Sequence, residues 1–148
     1  MRVESVRLGL PRVIAWGLLL AVPGAGGFLP GDLAASETVP KQVSLIVNGK
    51  RLIASNVRLS RFDEMKLNAQ EEISESAEGQ AVIVVVTNQR VIAYGVISGW
   101  RPMRKKAQEK VDTLTVEDFA AFITTNDRYL NFNGQSGAWG EQDRPVTH

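Results

Sequence analysis

TNQRVIAYGVISGW, Thr87 to Trp100, is echoed later in the chain by TNDRYLNFNGQSGAW, Thr125 to Trp139. Thr87 aligns with Thr125, Asn88 with Asn126, Arg90 with Arg128, Tyr94 with Phe132, Ser98 with Ser136 and Gly99 with Gly137, each pair 38 residues apart. Trp100 meets Trp139 after a one-residue insertion. The same step relates Met65 to Met103, Ala69 to Ala107, Gln70 to Gln108, Glu71 to Glu109 and Ile73 to Val111, and it places Phe62 opposite Trp100. Upstream the offset is 39, which pairs RLIA from Arg51 with RVIA from Arg90. Self-similarity at such a period signals a stacked or closed repeat architecture. It divides the chain into three units, near 40–72, 73–110 and 111–148. The first is the most divergent, with Asn48-Gly49 at the Thr-Asn position and no Trp.

Within a unit every local signal is β. AVIVVV from Ala81 and AAFI from Ala120 are apolar, partly β-branched runs, each followed by a tight turn, TNQR or TNDR, and a return strand, RVIAYGV or RYLNF. GVISG and NGQSG make a second reversal before a short strand that carries the Trp, and VDTLTVED supplies a further strand. Asn48-Gly49 and Asn133-Gly134 are pairs that readily take the positive φ angles of hairpin turns. The expectation is an all-β fold of three four-stranded antiparallel repeats of about 38 residues.

Ile92, Tyr94 and Val96 fall on one face of the return strand and Val91 and Ala93 on the other, while Ile83 to Val86 is apolar on both faces. Strands buried on both sides suit a sheet held between neighbours. The unit therefore resembles a β-propeller blade, with a β-prism or β-trefoil as the alternative; a trefoil's single core favours cleaner alternation. The WD dipeptide of one large propeller class is absent. The resemblance implies four or more blades for closure, so three units call for a second chain to complete a ring, as small lectins built from partial propellers do. Unit one, with Ser44, Asn48, Ser55 and Asn56, alternatively serves as a polar end cap of the kind repeat arrays use.

The N-terminus carries Arg2, Arg7 and Arg12 ahead of a short apolar run, Val13 to Val22, broken by Pro23, Gly24, Gly26, Gly27 and Pro30. This reads as a secretory signal peptide over 1–35 followed by a domain over 36–148, with cleavage after Gly27 or, preferably, after Ala35. A periplasmic or secreted location follows, with membrane contact only if the segment stays uncleaved. The chain has no cysteine, so neither a lipidated cysteine at the signal's end nor a disulfide is possible. Of 17 Lys+Arg and 16 Asp+Glu, three and two lie in the first 35 residues, leaving a balanced domain and no footprint for nucleic acid. An acidic stretch (Asp63, Glu64, Glu71, Glu72, Glu75, Glu78) and a basic one (Arg101, Arg104, Lys105, Lys106, Lys110) read as solvated connectors or as complementary surfaces between subunits.

The single histidine is His148, which with no cysteine removes the common zinc, haem and iron–sulfur sites and the Ser-His and Cys-His nucleophile pairs. No cofactor and no metal are expected. Two repeated side chains are candidates for ligand binding. Arg90 and Arg128, with Arg51, are bidentate donors suited to a carboxylate or an acidic sugar; equally, each ties its turn to an acid such as Glu109, Asp112, Asp118 or Asp127. Trp100 and Trp139 offer faces for sugar rings, or they fill the core between units. The function expected is that of a non-enzymatic module for macromolecular binding or assembly, through a protein partner or self-association. A lectin-like carbohydrate binder and a propeller-type glycoside hydrolase are the alternatives.

Overall fold

The computed structural model describes Thr38 and residues 40–145. The segment expected to be a signal peptide, its candidate cleavage sites and His148 lie outside the described residues, which belong to the compact unit Glu37–His148. Eleven strands and no helix occur among them: β1 (Val43–Asn48), β2 (Arg51–Asn56), β3 (Arg61–Lys66), β4 (Ile73–Glu78), β5 (Val82–Thr87), β6 (Arg90–Gly95), β7 (Gly99–Arg104), β8 (Val111–Val116), β9 (Ala120–Thr125), β10 (Arg128–Asn133) and β11 (Trp139–Asp143). They form three antiparallel sheets in meander order, β1-β2-β3, β4-β5-β6-β7 and β8-β9-β10-β11. The all-β reading holds, and each sheet is one sequence repeat.

Sheet one corrects the expectation of four strands in every unit. The strand that would match β4 at the 39-residue offset spans 34–39, of which only Thr38 is described, as irregular chain. Among the described residues β1 is an edge strand. Sheets two and three repeat each other in detail, including a bulge in the first strand, between Ile73 and Glu75 and again between Val111 and Thr113.

Because side chains alternate across a strand, each sheet has a forward face toward the next repeat and a rear face toward the previous one. Val43, Leu45, Leu52, Ala54 and Met65 on the forward face of sheet one meet Ile83, Val85, Ile92, Tyr94 and Trp100 on the rear face of sheet two. Val82, Val84, Val91, Ala93 and Met103 then meet Ala121, Ile123, Leu130, Phe132 and Trp139 of sheet three. The double-sided apolar run of β5 thus has a cause: every residue of that strand is buried, half in each seam.

Backbone hydrogen bonds repeat along with the packing. The Gln42 amide donates to the Gln80 carbonyl and the Ala81 amide to the Asp118 carbonyl; Val57, Val96 and Gly134 donate in series to Gln42, Ala81 and Phe119. Of the two turns expected to take positive φ, Gly49 does so at 58°. Gly134 is not among the positive-φ residues, and its turn is instead held by the Asn133 Oδ1, which accepts from the Gln135 and Ser136 amides at 2.9 and 3.1 Å. Glycine is required at 134 for space, since a Cβ there would sit 2.2 Å from Val82 Cγ2 across the seam.

Candidate functional site

The repeated words Thr-Asn-x-Arg and Ala-Gln-Glu meet in space. In sheet two the Arg90 Nε donates to Glu71 Oε1 at 2.9 Å and its Nη2 to Oε2 at 2.8 Å. The Thr87 hydroxyl donates to the same Oε1 at 2.7 Å, and the Asn68 amide reaches Oε2 at 3.0 Å. Sheet three copies this arrangement with Arg128, Thr125, Lys106 and the carboxylate of Glu109. Each threonine hydroxyl oxygen also accepts the amides of the residue two places on and of the arginine, Gln89 and Arg90 or Asp127 and Arg128. Asn88 and Asn126 pair with the connector backbone through both ends of their amides. The result is a clasp that fastens the hairpin tip to the connector entering its own sheet.

Glu71 and Glu109 are buried. Burial alone would raise their pKa values, but the opposing arginine and the amide and hydroxyl donors outweigh it, holding Glu71 down to about 2 and Glu109 below the usual range. Glu71 is thus no part of a solvated acidic stretch, as its neighbours in sequence suggested. Glu109 was among the acids foreseen for the arginines; Glu71 was not. The signal that identifies both is a constant separation of 19 residues between acid and arginine in two repeats.

Arg90 and Arg128 also extend one hydrogen bond back to the preceding sheet, to the Lys66 carbonyl at 3.4 Å and the Arg104 carbonyl at 2.9 Å. The tryptophans do likewise. Trp100 Nε1 donates to the Asp63 carbonyl at 3.0 Å and Trp139 Nε1 to the Arg101 carbonyl at 3.1 Å. Their rings lie 5.0 Å from Tyr94 and Phe132 within the same two sheets. Tyr94 completes a buried polar link: its hydroxyl donates to Asp63 and accepts from Asn56 Nδ2 at 2.7 Å. Burial first, and then the Asp63 carboxylate, raise the tyrosine's pKa. All four nominated residues therefore lie at hairpin tips and seams, each with a side-chain N–H spent on a partner within the fold.

Other side chains reach solvent at the two ends of the repeat series. The forward face of sheet three carries Ala120, Phe122, Tyr129, Asn131 and Gln142, where sheet two has Val82, Val84, Val91, Ala93 and Met103. Phe122 and Tyr129 are about half exposed, 47% and 45%. Between them lies a cleft of about 320 Å³ lined also by Thr124, Asn131, Gly140 and Gln142. The Asn131 amide lies over Gly140, where a Cβ would come within 2.5 Å of its Oδ1. The rear face of sheet one bears Ser44, Ile46, Ile53, Ser55 and Phe62, with Phe62 69% exposed. Reading the sequence put Ser44 and Ser55 in a polar end cap and Phe62 opposite Trp100, but did not single out Phe122 and Tyr129 as a surface; aligning these two with Val84 and Val91 points to it once the faces are known.

Chemically the cleft offers aromatic edges, two amides and two hydroxyls, and its lining includes one carboxylate, Glu141. Among the described residues no group of three or more His, Cys, Asp or Glu could hold a metal. No family model, curated protein or solved structure matches the chain.

Proposed function

We propose that this chain is an exported, non-enzymatic β-repeat module whose sheets are propeller-blade-like and whose work is macromolecular binding or assembly. The observation that carries the reading is the contrast between the seams and the ends. Inside, the repeated acids tie hairpin tips to their own connectors, and the repeated arginines and tryptophans each send a hydrogen bond across a seam. At the ends, the same positions of the repeat present Phe122 and Tyr129, and Phe62 and Ile46, to solvent. Large apolar side chains grouped on a sheet face that internal copies bury are the mark of a surface meant to be covered. Export rests on the basic start and the short apolar run, and the module would act in the periplasm or outside the cell.

Covalent footprinting tests this. Phe62, Phe122 and Tyr129 should be labelled less in the producing cell than in dilute purified protein, while exposed Val57 and Ile97, which lie off both end faces, change little. Equal labelling of the end faces in the two settings would overturn the reading. A carbohydrate binder is the second reading, favoured by the aromatic and amide lining of the Gly140 cleft; selective retention on a glycan array, lost on Tyr129→Ala, would establish it instead.

A further inference from the structure

The surfaces at the two ends are not independent of each other. The forward face of sheet three and the rear face of sheet one are the next members of the series that builds both internal seams, so their contacts can be read by continuing it. Resting on the assembly reading above, we propose that the partner for these faces is a second copy of this chain, docked head to tail so that Phe62 of one copy enters the Gly140 cleft of the next.

Three series converge on this register. The rear-face aromatic of each sheet crosses its seam to a fixed point on the preceding sheet: Trp100 to the Asp63 carbonyl and Trp139 to the Arg101 carbonyl. The third position in that series is Gly140, in the lining of the open cleft, and the third aromatic is the exposed Phe62, whose ring carries no N–H and would be seated there by packing alone. The hairpin arginine of each sheet reaches back to the end of the preceding sheet, Arg90 to Lys66 and Arg128 to Arg104. Continued, Arg51 meets Asp143 of the next copy. The acceptor that continues the series is the Asp143 carbonyl; the Arg51 guanidinium is half exposed and paired with Glu64 at 3.6 Å, while the Asp143 carboxylate, 81% exposed, is paired with Lys106 at 2.8 Å. The amides of Gln42 and Ala81 donate across their seams to Gln80 and Asp118. The next donor is the Phe119 amide, beside an open cleft lined by Glu117, Asp118, Phe119 and Ala120, and its acceptor would be the Lys41 carbonyl.

Size complementarity points the same way. Inside, the forward face is small (Ala54, Ala93) where the rear face is large (Tyr94, Phe132). At the ends the relation is inverted: Asn131 replaces the alanine and Ser55 replaces the tyrosine. An interface of this kind is heterologous, with different patches meeting, and it grows into a ring or a filament.

The test uses two single substitutions on opposite ends. Phe62→Lys removes the projecting ring, and Phe122→Lys spoils the cleft; both positions are exposed, and circular dichroism melts check that each variant folds. Light scattering on the purified chain should give masses of two or more chains, rising with concentration, whereas each variant alone should give the mass of one chain. Mixed one to one, the variants should recover a species of two chains that grows no further, because each retains the end the other lost. A wild-type chain that stays at single-chain mass overturns the proposal. So does association that persists in both variants, which would place it elsewhere, including the N-terminal segment. A mixture that stays single-chain is equally fatal, because head-to-tail docking requires rescue. If the second copy fails in this way while the end faces remain protected in the cell, a different macromolecule covers them and the assembly reading stands; if both fail, both fall.

Discussion

Four donors converge on each of two buried carboxylates, and that convergence sets a pH at which the fold should weaken. Glu71 is held at about 2 against an ordinary 4.5, so the folded state binds its proton less readily than the unfolded chain. Stability from such a group is fully present above the unfolded value and is lost as pH falls through the folded one. Glu109 is shifted in the same direction by the same set of partners. Melting temperature should therefore be flat above about pH 5 and fall between about 4.5 and 2, with Glu71 alone contributing up to roughly 3 kcal/mol. Glu71→Gln should lower the neutral plateau and flatten the acid limb, as measured by thermal melts across that range. An acid limb that is unchanged in Glu71→Gln would show that the clasp does not couple to folding. The clasp's use lies in register as much as in energy, since a buried ion pair gains little over an apolar substitute of equal volume but leaves its hairpin one place to sit.

Among the elements, the hairpins were legible from the residues and the tertiary partners of their tips were not. Apolar runs bounded by Thr-Asn-x-Arg specify strand, turn and return strand, and the strands fall there: β5 with β6, and β9 with β10. What the tips touch depends on a connector far away in sequence, so an exposed-looking Glu71 turns out to be fully buried. Gly134 is another case, because Asn-Gly suggests a backbone requirement where the structure shows a spatial one. The clash with Val82 across the second seam makes a quantitative prediction. Gly134→Ala should cost about 1–3 kcal/mol, the usual range for overpacking, and Val82→Ala in the same chain should recover part of it; thermal melts of the two variants and their combination give the coupling. Strict additivity of the two substitutions would mean that the loop does not press on β5. The fourth strand that the repeat offset would put in sheet one falls on 34–39, of which only Thr38 is described.

At the scale of the whole molecule, three sheets joined only to their neighbours behave as a short one-dimensional array, in which stability is the sum of sheets and seams. Sheet two contributes to both seams and sheets one and three to one each, so the resistance to opening should differ in a set order. Amides of Ile83–Val86 and Val91–Tyr94, in strands buried almost throughout, should exchange with deuterium only through global unfolding. Those of β1 and β11, edge strands in sheets with one uncovered face, should exchange by local opening at much lower free energy. Head-to-tail docking adds a further condition, since it covers the ends and leaves the middle unchanged. Raising protein concentration should slow exchange in sheets one and three while the central strands hold their rates. Hydrogen exchange at two concentrations decides the matter: central strands no better protected than β10 would refute the additive description. End sheets indifferent to concentration would refute the docking while leaving the three-sheet stack intact, because its two seams are closed by residues of a single chain.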